Sequence, residues 1–133
     1  MLTGVHHIAI IASDYERSKK FYIEVLGFEI IAENYREERD SYKLDLSLNG
    51  HYLIELFSFP SSPARLSQPE ACGLRHLAFA VPDIDVAINE LKNKGVETEE
   101  IRFDTYTNNR LTFFSDPDGL PLELYEVKPK SES

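Results

Sequence analysis

Apolar and polar residues alternate along the chain in a way that predicts the same order of elements twice, each time a strand, a helix and three further strands. In the first half, Asp14 is placed to cap a helix that runs to Leu26, and Gly27 suits the left-handed position at its end. Asn49 and Gly50 are a typical hairpin signal. The predicted strands cover residues 5–12, 28–35, 44–48 and 52–57. The first half is therefore expected to be a βαβββ module.

The second half repeats this order after a loop that is rich in proline and serine. Asp83 is placed to cap its helix, which ends near Gly95, and apolar residues recur between them with helical spacing. Its predicted strands cover residues 74–81, 98–102, 110–115 and 120–127. We expect one domain, residues 1–133, divided into module one (1–58), a linker (59–73), module two (74–128) and a tail (129–133).

The two modules predict an α+β fold. A four-stranded sheet with a single helix has only one covered face, so neither module buries both faces of its sheet by itself. We therefore expect the two βαβββ modules to form curved mixed sheets around a shared cleft.

A histidine and a glutamate recur in matched settings in the two modules. His7 and His76 each stand seven residues before the helix-capping aspartate of their module. Glu55 and Glu123 each lie between two branched apolar residues in the last strand of their module. Imidazole and carboxylate groups are common ligands of divalent metals, so this recurrence is the strongest functional signal in the sequence.

Composition and charge narrow the range of partners. With 23 acidic and 14 basic side chains, the net charge of −9 opposes binding to nucleic acid or to anionic membranes. No apolar run reaches the length needed to span a membrane. Cys72 is the only cysteine, which excludes an internal disulfide and a thiolate-rich metal site. We expect Cys72 to be incidental and the protein to be cytoplasmic.

These motifs resemble the vicinal oxygen chelate superfamily, which includes glyoxalase I, bleomycin-resistance proteins, fosfomycin-resistance enzymes, methylmalonyl-CoA epimerases and extradiol dioxygenases. The motifs that carry the resemblance are His7 with Asp14, Phe21-Tyr22, Leu26-Gly27-Phe28, Ile54-Glu55-Leu56, Arg75-His76-Leu77-Ala78-Phe79, Asp116-Pro117-Asp118-Gly119 and Leu122-Glu123-Leu124. They cover nearly the whole chain and are most similar to glyoxalase I, within a short bacterial subgroup.

The resemblance implies a metal site with four protein ligands: His7, Glu55, His76 and Glu123. One divalent metal per site is expected, with zinc or nickel favoured and cobalt, manganese or iron as alternatives. The resemblance also implies that the cleft is metal-binding and that the protein is a homodimer with sites between chains.

The activity implied is that of a glyoxalase-like lyase or isomerase acting on a small carbonyl or thiol-adduct substrate. The reaction would be proton transfer through a metal-bound enediolate, with Glu55 or Glu123 as the catalytic base. Ile11 and Phe59 stand where glutathione-dependent members carry an arginine and an asparagine, which disfavours a glutathione adduct as substrate. The alternatives are a metal-free binding protein of the bleomycin-resistance kind, an extradiol dioxygenase and a fosfomycin-type thiol transferase.

Other polar residues compete for a place in the site. His6 adjoins His7, but neighbours on a strand point to opposite faces, and the seven-residue spacing selects His7. His51 lies beside the hairpin turn, where a solvated histidine is expected. The basic residues that could meet an anionic substrate are Arg36, Arg39, Lys43, Arg75 and Arg110. Arg75 and Arg110 are favoured because they lie beside the strands that carry predicted ligands.

Overall fold

The computed structural model describes residues 1–129, so residues 130–133 of the predicted tail lie outside the described residues. The strands are β1 (Ile8–Ala12), β2 (Glu29–Arg36), β3 (Ser41–Leu48), β4 (His51–Ser58), β5 (Leu77–Val81), β6 (Arg102–Phe103), β7 (Arg110–Ser115) and β8 (Pro121–Glu126). The helices are α1 (Tyr15–Lys20), which continues as a π-helical turn over Phe21–Val25, α2 (Ile84–Asn93) and a short 3-10 turn at Glu37–Arg39. Within residues 1–129, no helix is long and apolar enough to cross a membrane.

The chain divides into two compact units, Met1–Arg65 and Leu66–Ser133. Each contains one four-stranded mixed sheet, with the strand order β1-β4-β3-β2 in the first unit and β5-β8-β7-β6 in the second. In both sheets, the first and last strands of the unit run parallel to each other and the other neighbours are antiparallel. This topology confirms the predicted α+β class with two βαβββ modules.

One face of the first sheet forms the core of its unit. The fully buried side chains that share this core are Tyr22, Leu44, Leu46, Ile54 and Leu56. Because side chains alternate along a strand, the residues between the buried ones on β4, such as Glu55, point to the opposite face. Fully burying one such aliphatic side chain stabilises a fold by about 1.5–3 kcal/mol, so the core face specifies the register of the sheet.

The second sheet is built in the same way. Its buried apolar side chains on α2, β7 and β8 are Ile84, Leu91, Phe114, Leu122 and Leu124. Thr112 is also fully buried, and its hydroxyl donates a 2.7 Å hydrogen bond to the carbonyl of Glu99. The amide of Glu99 in turn donates to the carbonyl of Phe113 at 2.9 Å. The main chain of Glu99 therefore provides hydrogen-bond partners for Thr112 and Phe113 of β7, although Glu99 does not belong to a strand.

Strand β6 departs from the sequence prediction. The sequence predicts a strand at 98–102, but only Arg102–Phe103 pairs regularly with β7. Three of the four residues 97–100 are glutamates, which are poor strand formers, and this explains why the pairing is short.

Both helices begin as predicted. The Asp14 carboxylate accepts a 3.1 Å hydrogen bond from the amide three residues later, and the Asp83 carboxylate accepts bonds of 3.1 and 3.2 Å from the first turn of α2. Gly27 has a φ of +84°, the left-handed conformation predicted for a helix end. The last part of the first helix differs from the prediction, because the Leu26 amide bonds to the Phe21 carbonyl and widens the turn.

Glu126 links β8 to the beginning of α2. It is only 4% exposed, and its carboxylate accepts hydrogen bonds from the Ile84 amide at 3.0 Å and the Arg110 guanidinium at 2.8 Å. Arg110 also forms an ion pair of 3.0 Å with Asp85. The hydrogen bonds from Arg110 and from Ile84 lower the pKa of Glu126 from 4.5 to about 2.

We predict that the free energy of unfolding falls less steeply with decreasing pH in Glu126→Gln than in the parent protein. A carboxyl group whose pKa is lowered by folding stabilises the protein above its unfolded pKa, and this contribution is lost as the pH falls through the folded value. The contribution of Glu126 is therefore present above pH 4.5 and disappears towards about pH 2. Urea unfolding at a series of pH values should show a steeper decline for the parent than for Glu126→Gln.

Glu90→Gln is the matched control, because Glu90 is an exposed glutamate on α2. Its stability should follow the parent at every pH. Identical acid profiles for the parent and Glu126→Gln would contradict the role assigned to Glu126.

Candidate metal centre

The first histidine–glutamate pair lies on the face of the first sheet that is opposite its core. Strand β1 runs parallel to β4 with Ala9 beside Glu55, and His7 stands two residues before Ala9. This register places His7 Nε2 3.5 Å from Glu55 Oε2. The side chain of His7 is 36% exposed and that of Glu55 is 14% exposed, so both groups are accessible to a small ligand.

The second pair repeats this geometry in the second sheet. Ala78 lies beside Glu123 in the parallel pair of β5 and β8, and His76 stands two residues before Ala78. His76 Nε2 is 3.1 Å from Glu123 Oε1. On the neighbouring strand, Phe113 lies directly opposite Glu123, and its ring meets the His76 ring edge-on with centroids 5.2 Å apart.

The chemistry of these donors fits a divalent metal. Imidazole nitrogens and carboxylate oxygens are ligands for zinc, nickel, cobalt, manganese and iron. His76 has a further polar atom to satisfy, because its buried Nδ1 has no hydrogen-bond partner within residues 1–129. A buried polar group without a partner costs about 1–3 kcal/mol.

The four predicted ligands come together as two pairs, one within each unit. His7 lies with Glu55, and His76 lies with Glu123. Among the described residues of a single chain, no group of three or more histidine, cysteine, aspartate or glutamate side chains is arranged to hold a metal. Each pair therefore offers one imidazole and one carboxylate.

Two residues that the sequence analysis did not place in the site, Asp45 and Tyr52, adjoin Glu55. Asp45 is the direct cross-strand neighbour of Glu55. The Tyr52 hydroxyl lies 2.7 Å from Asp45 Oδ1 and 3.0 Å from Glu55 Oε2. Lys43 Nζ lies 2.9 Å from Asp45 Oδ1 and 3.8 Å from Glu55 Oε2. Two neighbouring carboxylates thus share one ammonium group and one hydroxyl group.

These contacts determine the charge of the cluster. Burial, together with the hydrogen bonds to Asp45 and Glu55, raises the pKa of Tyr52 far above its ordinary value, so its hydroxyl is a neutral donor. Burial opposes ionisation of Asp45, but the hydrogen bonds from Lys43 and Tyr52 outweigh it and lower the pKa of Asp45. Asp45 is therefore negatively charged at neutral pH, and Lys43 compensates that charge.

A β-bulge places Tyr52 in the cluster. The pairing between β3 and β4 shifts between Leu46 and Ser47, so that β4 holds one additional residue, Leu53. Strict alternation counted from Glu55 would put Tyr52 on the core face. The bulge turns Tyr52 to the face of Glu55 instead.

His6 lies closer to the first pair than the sequence predicts. Strand β1 begins only at Ile8, so the alternation of a strand does not apply to residues 6 and 7. His6 Nδ1 is 2.9 Å from His7 Nδ1, and its ring centroid is 5.0 Å from that of Tyr52. His6 therefore flanks the pair instead of pointing away from it.

The structure places the two favoured arginines outside both pairs. Arg75 is exposed and forms an ion pair of 3.3 Å with Glu70. Arg110 pairs across the sheet on the core face, and its guanidinium binds Glu126 and Asp85. These contacts give Arg110 a structural role and remove it from the face that carries Glu123. His51 and Cys72, which the sequence analysis left outside the site, are both exposed.

The whole chain is similar to proteins of one family. Residues 4–124 match the model of the Glyoxalase/Bleomycin resistance protein/Dioxygenase superfamily. The chain therefore belongs to this family, the vicinal oxygen chelate superfamily that the sequence resembles.

Several relatives are similar over nearly their full length. Uncharacterized protein YwkD of Bacillus subtilis (strain 168) is 66% identical over 126 residues, which cover 95% of this chain and 98% of that protein. Uncharacterized protein YaeR of Escherichia coli (strain K12) is 65% identical over 125 residues, which cover 94% of this chain and 97% of that protein. The crystal structure of the glyoxalase family protein from Enterococcus faecalis is 53% identical, with a TM-score of 0.87 over 92% of this chain and 97% of that one.

More distant relatives have diverse activities. Metallothiol transferase FosB of Staphylococcus haemolyticus is 30% identical over 94% of this chain and 84% of its own length. The 2-epi-5-epi-valiolone epimerase of an Actinomyces species is 28% identical over 93% of this chain and 79% of its own length. Catechol-2,3-dioxygenase of Bacillus subtilis is 25% identical, and this chain spans 43% of its length. Family membership therefore fixes the fold and leaves the reaction to the residues of the site.

We predict that Lys43→Met destabilises the protein, because it leaves Asp45 and Glu55 with only the Tyr52 hydroxyl between them. A hydrogen bond to a charged group is worth about 1.5–3 kcal/mol, and the partial exposure of Lys43 reduces the expected loss to about 1 kcal/mol. Urea unfolding at neutral pH measures this loss. In an Asp45→Asn background the effect of Lys43→Met should shrink.

Lys20→Met is the control for this experiment. The Lys20 side chain is 76% exposed, and its ion pair with Glu24 spans 3.9 Å, so its removal should cost less than about 0.5 kcal/mol. If Lys43→Met cost the same with Asp45 and with Asn at position 45, Lys43 would not act through this carboxylate.

Proposed function

We propose that this protein is a metal-dependent, glyoxalase-like lyase or isomerase that moves a proton on a carbon next to a carbonyl group. The observation that carries the proposal is the repeated histidine–glutamate pair, His7 with Glu55 and His76 with Glu123, at equivalent register positions of the two sheets. Such a repeat is costly to keep without a function, because each glutamate is a largely buried ionisable group between two apolar residues of its strand.

The proposed ligands of one divalent metal are these two histidines and two glutamates. When bound, the metal would supply Lewis-acid stabilisation of negative charge on the substrate oxygens. Zinc or nickel is the favoured metal, with cobalt, manganese or iron(II) as alternatives, since the site holds no thiolate.

The proposed assembly is a homodimer with two sites. Each site would combine His7 and Glu55 of one chain with His76 and Glu123 of a second chain, as the similarity to short family members implies. Each pair lies within one compact unit, so a complete site with four ligands needs one unit of each kind. A two-fold axis then generates two equivalent sites per dimer.

The surroundings of the two glutamates favour Glu123 as the base. Glu55 lies 3.0 Å from the Tyr52 hydroxyl and 3.8 Å from Lys43 Nζ, and both contacts engage its Oε2 atom. Glu123 is 7% exposed and lies opposite Phe113. Apart from its 3.1 Å contact with His76, Glu123 thus has an aromatic neighbour where Glu55 has a hydroxyl and an ammonium group, so its carboxylate is less engaged by other side chains and can approach a substrate carbon. In this proposal Glu123 takes the proton from one carbon and returns it to the adjacent one.

A thiol transferase is the second candidate, because the relative FosB is a metallothiol transferase. That reaction would add a thiol to an electrophilic carbon and would leave no solvent proton on the product carbon. A dioxygenase is disfavoured because Glu55 would fill the ligand position on the metal that oxygen and substrate need. A metal-free binding protein is disfavoured because both pairs retain their polar ligands.

We predict that His7→Ala, Glu55→Ala, His76→Ala and Glu123→Ala each lower the metal content of the purified protein sharply. Each change removes a donor and leaves the remaining carboxylate charge uncompensated. Elemental analysis and titration with zinc or nickel measure stoichiometry and affinity. His51→Ala is the matched control, because His51 is an exposed histidine outside both pairs, and it should bind metal like the parent. Parent-like stoichiometry and affinity in His7→Ala or Glu123→Ala would overturn the ligand assignment.

We predict that mixed dimers distinguish sites between chains from sites within one chain. His7→Ala and His76→Ala chains should each bind little metal alone. In a verified heterodimer of the two, a site between chains has one intact copy, so about half of the parent metal content should return. Heterodimers that bind no more metal than either variant would place the complete site within one chain.

We predict that Glu123→Gln keeps the fold but lowers kcat by roughly 10²-fold or more, because glutamine cannot accept the proton. The substrate for this test comes from a screen of dicarbonyls, hydroxyacids, thiol adducts and acyl thioesters. Product formed in deuterated water should carry solvent deuterium at the reacting carbon. Turnover without any exchange, together with thiol consumption or oxygen uptake, would assign one of the other reactions instead.

A further inference from the structure

A cationic and aromatic cluster lies next to Glu55 on the first sheet. Phe57 follows Glu55 by two residues on β4, so both point to the same face, about 7 Å apart along the strand. Arg36 Cζ lies 5.1 Å from the centroid of the Phe57 ring, and Arg39 Cζ lies 4.8 Å from that of Phe59. The two rings are stacked at 5.8 Å with an interplanar angle of 13°. We call these two arginines and two phenylalanines the Arg36/Arg39 stack.

The sheet register positions Arg36 on this face. Arg36 pairs with Ser41 across the β2–β3 hairpin, and its Nη2 donates a 3.1 Å hydrogen bond to Ser41 Oγ. Ser41 is fully buried, so this contact is a fixed anchor. Arg36 Nε is buried and has no hydrogen-bond partner among residues 1–129. The Phe57 ring and the Ser41 hydroxyl therefore hold the Arg36 guanidinium in place. Its Nε–H donor is not used by the described residues.

The two guanidinium groups of the stack differ from three other arginines of this acidic chain, which have carboxylate partners. These three, Arg75, Arg102 and Arg110, form ion pairs with carboxylates at 2.8–3.6 Å. Within the part of the chain that the structure describes, neither Arg36 nor Arg39 has a carboxylate oxygen within 4.0 Å, although the sequence has 23 acidic residues. Two neighbouring positive charges without a carboxylate favour an external anion.

The geometry of a stacked guanidinium suits an oxyanion. A guanidinium that lies over a ring satisfies its apolar face, while its N–H groups point outward in its own plane. Carboxylate and phosphate oxygens accept two of these N–H groups at once. Lys43 is the cross-strand neighbour of Phe57, but its ammonium group already contacts Asp45 and Glu55. The arginines are therefore the cations of this face that can bind an added anion.

We propose that the Arg36/Arg39 stack binds a carboxylate or phosphate group of the substrate, whose reacting carbon lies at His7 and Glu55. The inference rests on the proposed function and narrows its substrate class to small anionic carbonyl compounds. The anionic group is separated from the reacting carbon by about 7 Å or slightly more, the distance between neighbouring side chains on one face of a strand. Phe57 lines the path between them.

Inorganic phosphate and acetate are the probes that test this subsite without a known substrate. Binding to the full chain, as purified and after treatment with a chelator, is followed by the arginine side-chain N–H signals in NMR and by calorimetry. Phosphate should shift the Arg36 and Arg39 signals. Arg36→Gln and Arg39→Gln should each weaken phosphate binding about tenfold, as expected for the loss of a charge-assisted hydrogen-bonded pair. Arg36→Lys, which keeps the charge but loses the planar fork, should give an intermediate affinity.

Arg17→Gln is the control, because Arg17 is an exposed arginine on α1, and it should bind phosphate like the parent. Parent protein that binds neither anion, or equal weakening in Arg17→Gln, would overturn the subsite. Binding that survives in the Arg36→Gln/Arg39→Gln double variant would also overturn it. Metal titration of the same samples reports the proposed function separately. Phosphate binding at the stack without metal binding would support the subsite and reject the metal-dependent function. Metal binding without phosphate binding would support the metal-dependent function and reject the subsite.

Discussion

The alternation of side chains along paired strands is the constraint on which the site depends. In the first sheet, Leu44 and Leu46 pack on one face while Asp45 between them points to the other. A shift of the register by one residue would expose the buried leucines and bury the carboxylates. Each exposed leucine would cost about 1.5–3 kcal/mol, and the burial of each charge would add to that cost. The apolar core of each unit therefore holds Glu55 or Glu123 on the opposite face of its sheet as firmly as any direct contact.

Elements with strong local signals could be predicted from the sequence. Strand β7 was predicted at its observed bounds, and the helix caps at Asp14 and Asp83 were predicted because a capping carboxylate acts on amides only a few residues away. The repeat predicted one histidine and one glutamate in matched positions of each module, and the structure brings the two together within each unit. Strand β6 was overpredicted, since a run of glutamates weakens pairing that the position in the module otherwise favours.

The residues that sequence reasoning missed depend on contacts between distant segments. Tyr52 reaches Glu55 because of a bulge, and a bulge has no signature in the alternation of β4 alone. Arg110 was favoured as a substrate ligand, yet its partners Asp85 and Glu126 lie on other elements. Asp45 was within reach of prediction, because it lies between two leucines and the hairpin at Asn49-Gly50 brings its strand alongside β4.

The two modules keep one backbone frame and have diverged in what surrounds the glutamate. Asp45 lies opposite Glu55, whereas Phe113 lies opposite Glu123. A site that takes one pair of each kind would present a charged, hydrogen-bonding wall to one side of a flat intermediate and an aromatic wall to the other. The two faces of a prochiral carbon would then be chemically distinct, so a proton returned from the side of Phe113 would produce a single enantiomer. In the proposed enzyme, the difference between the two modules would thus allow the site to distinguish the two sides of its substrate.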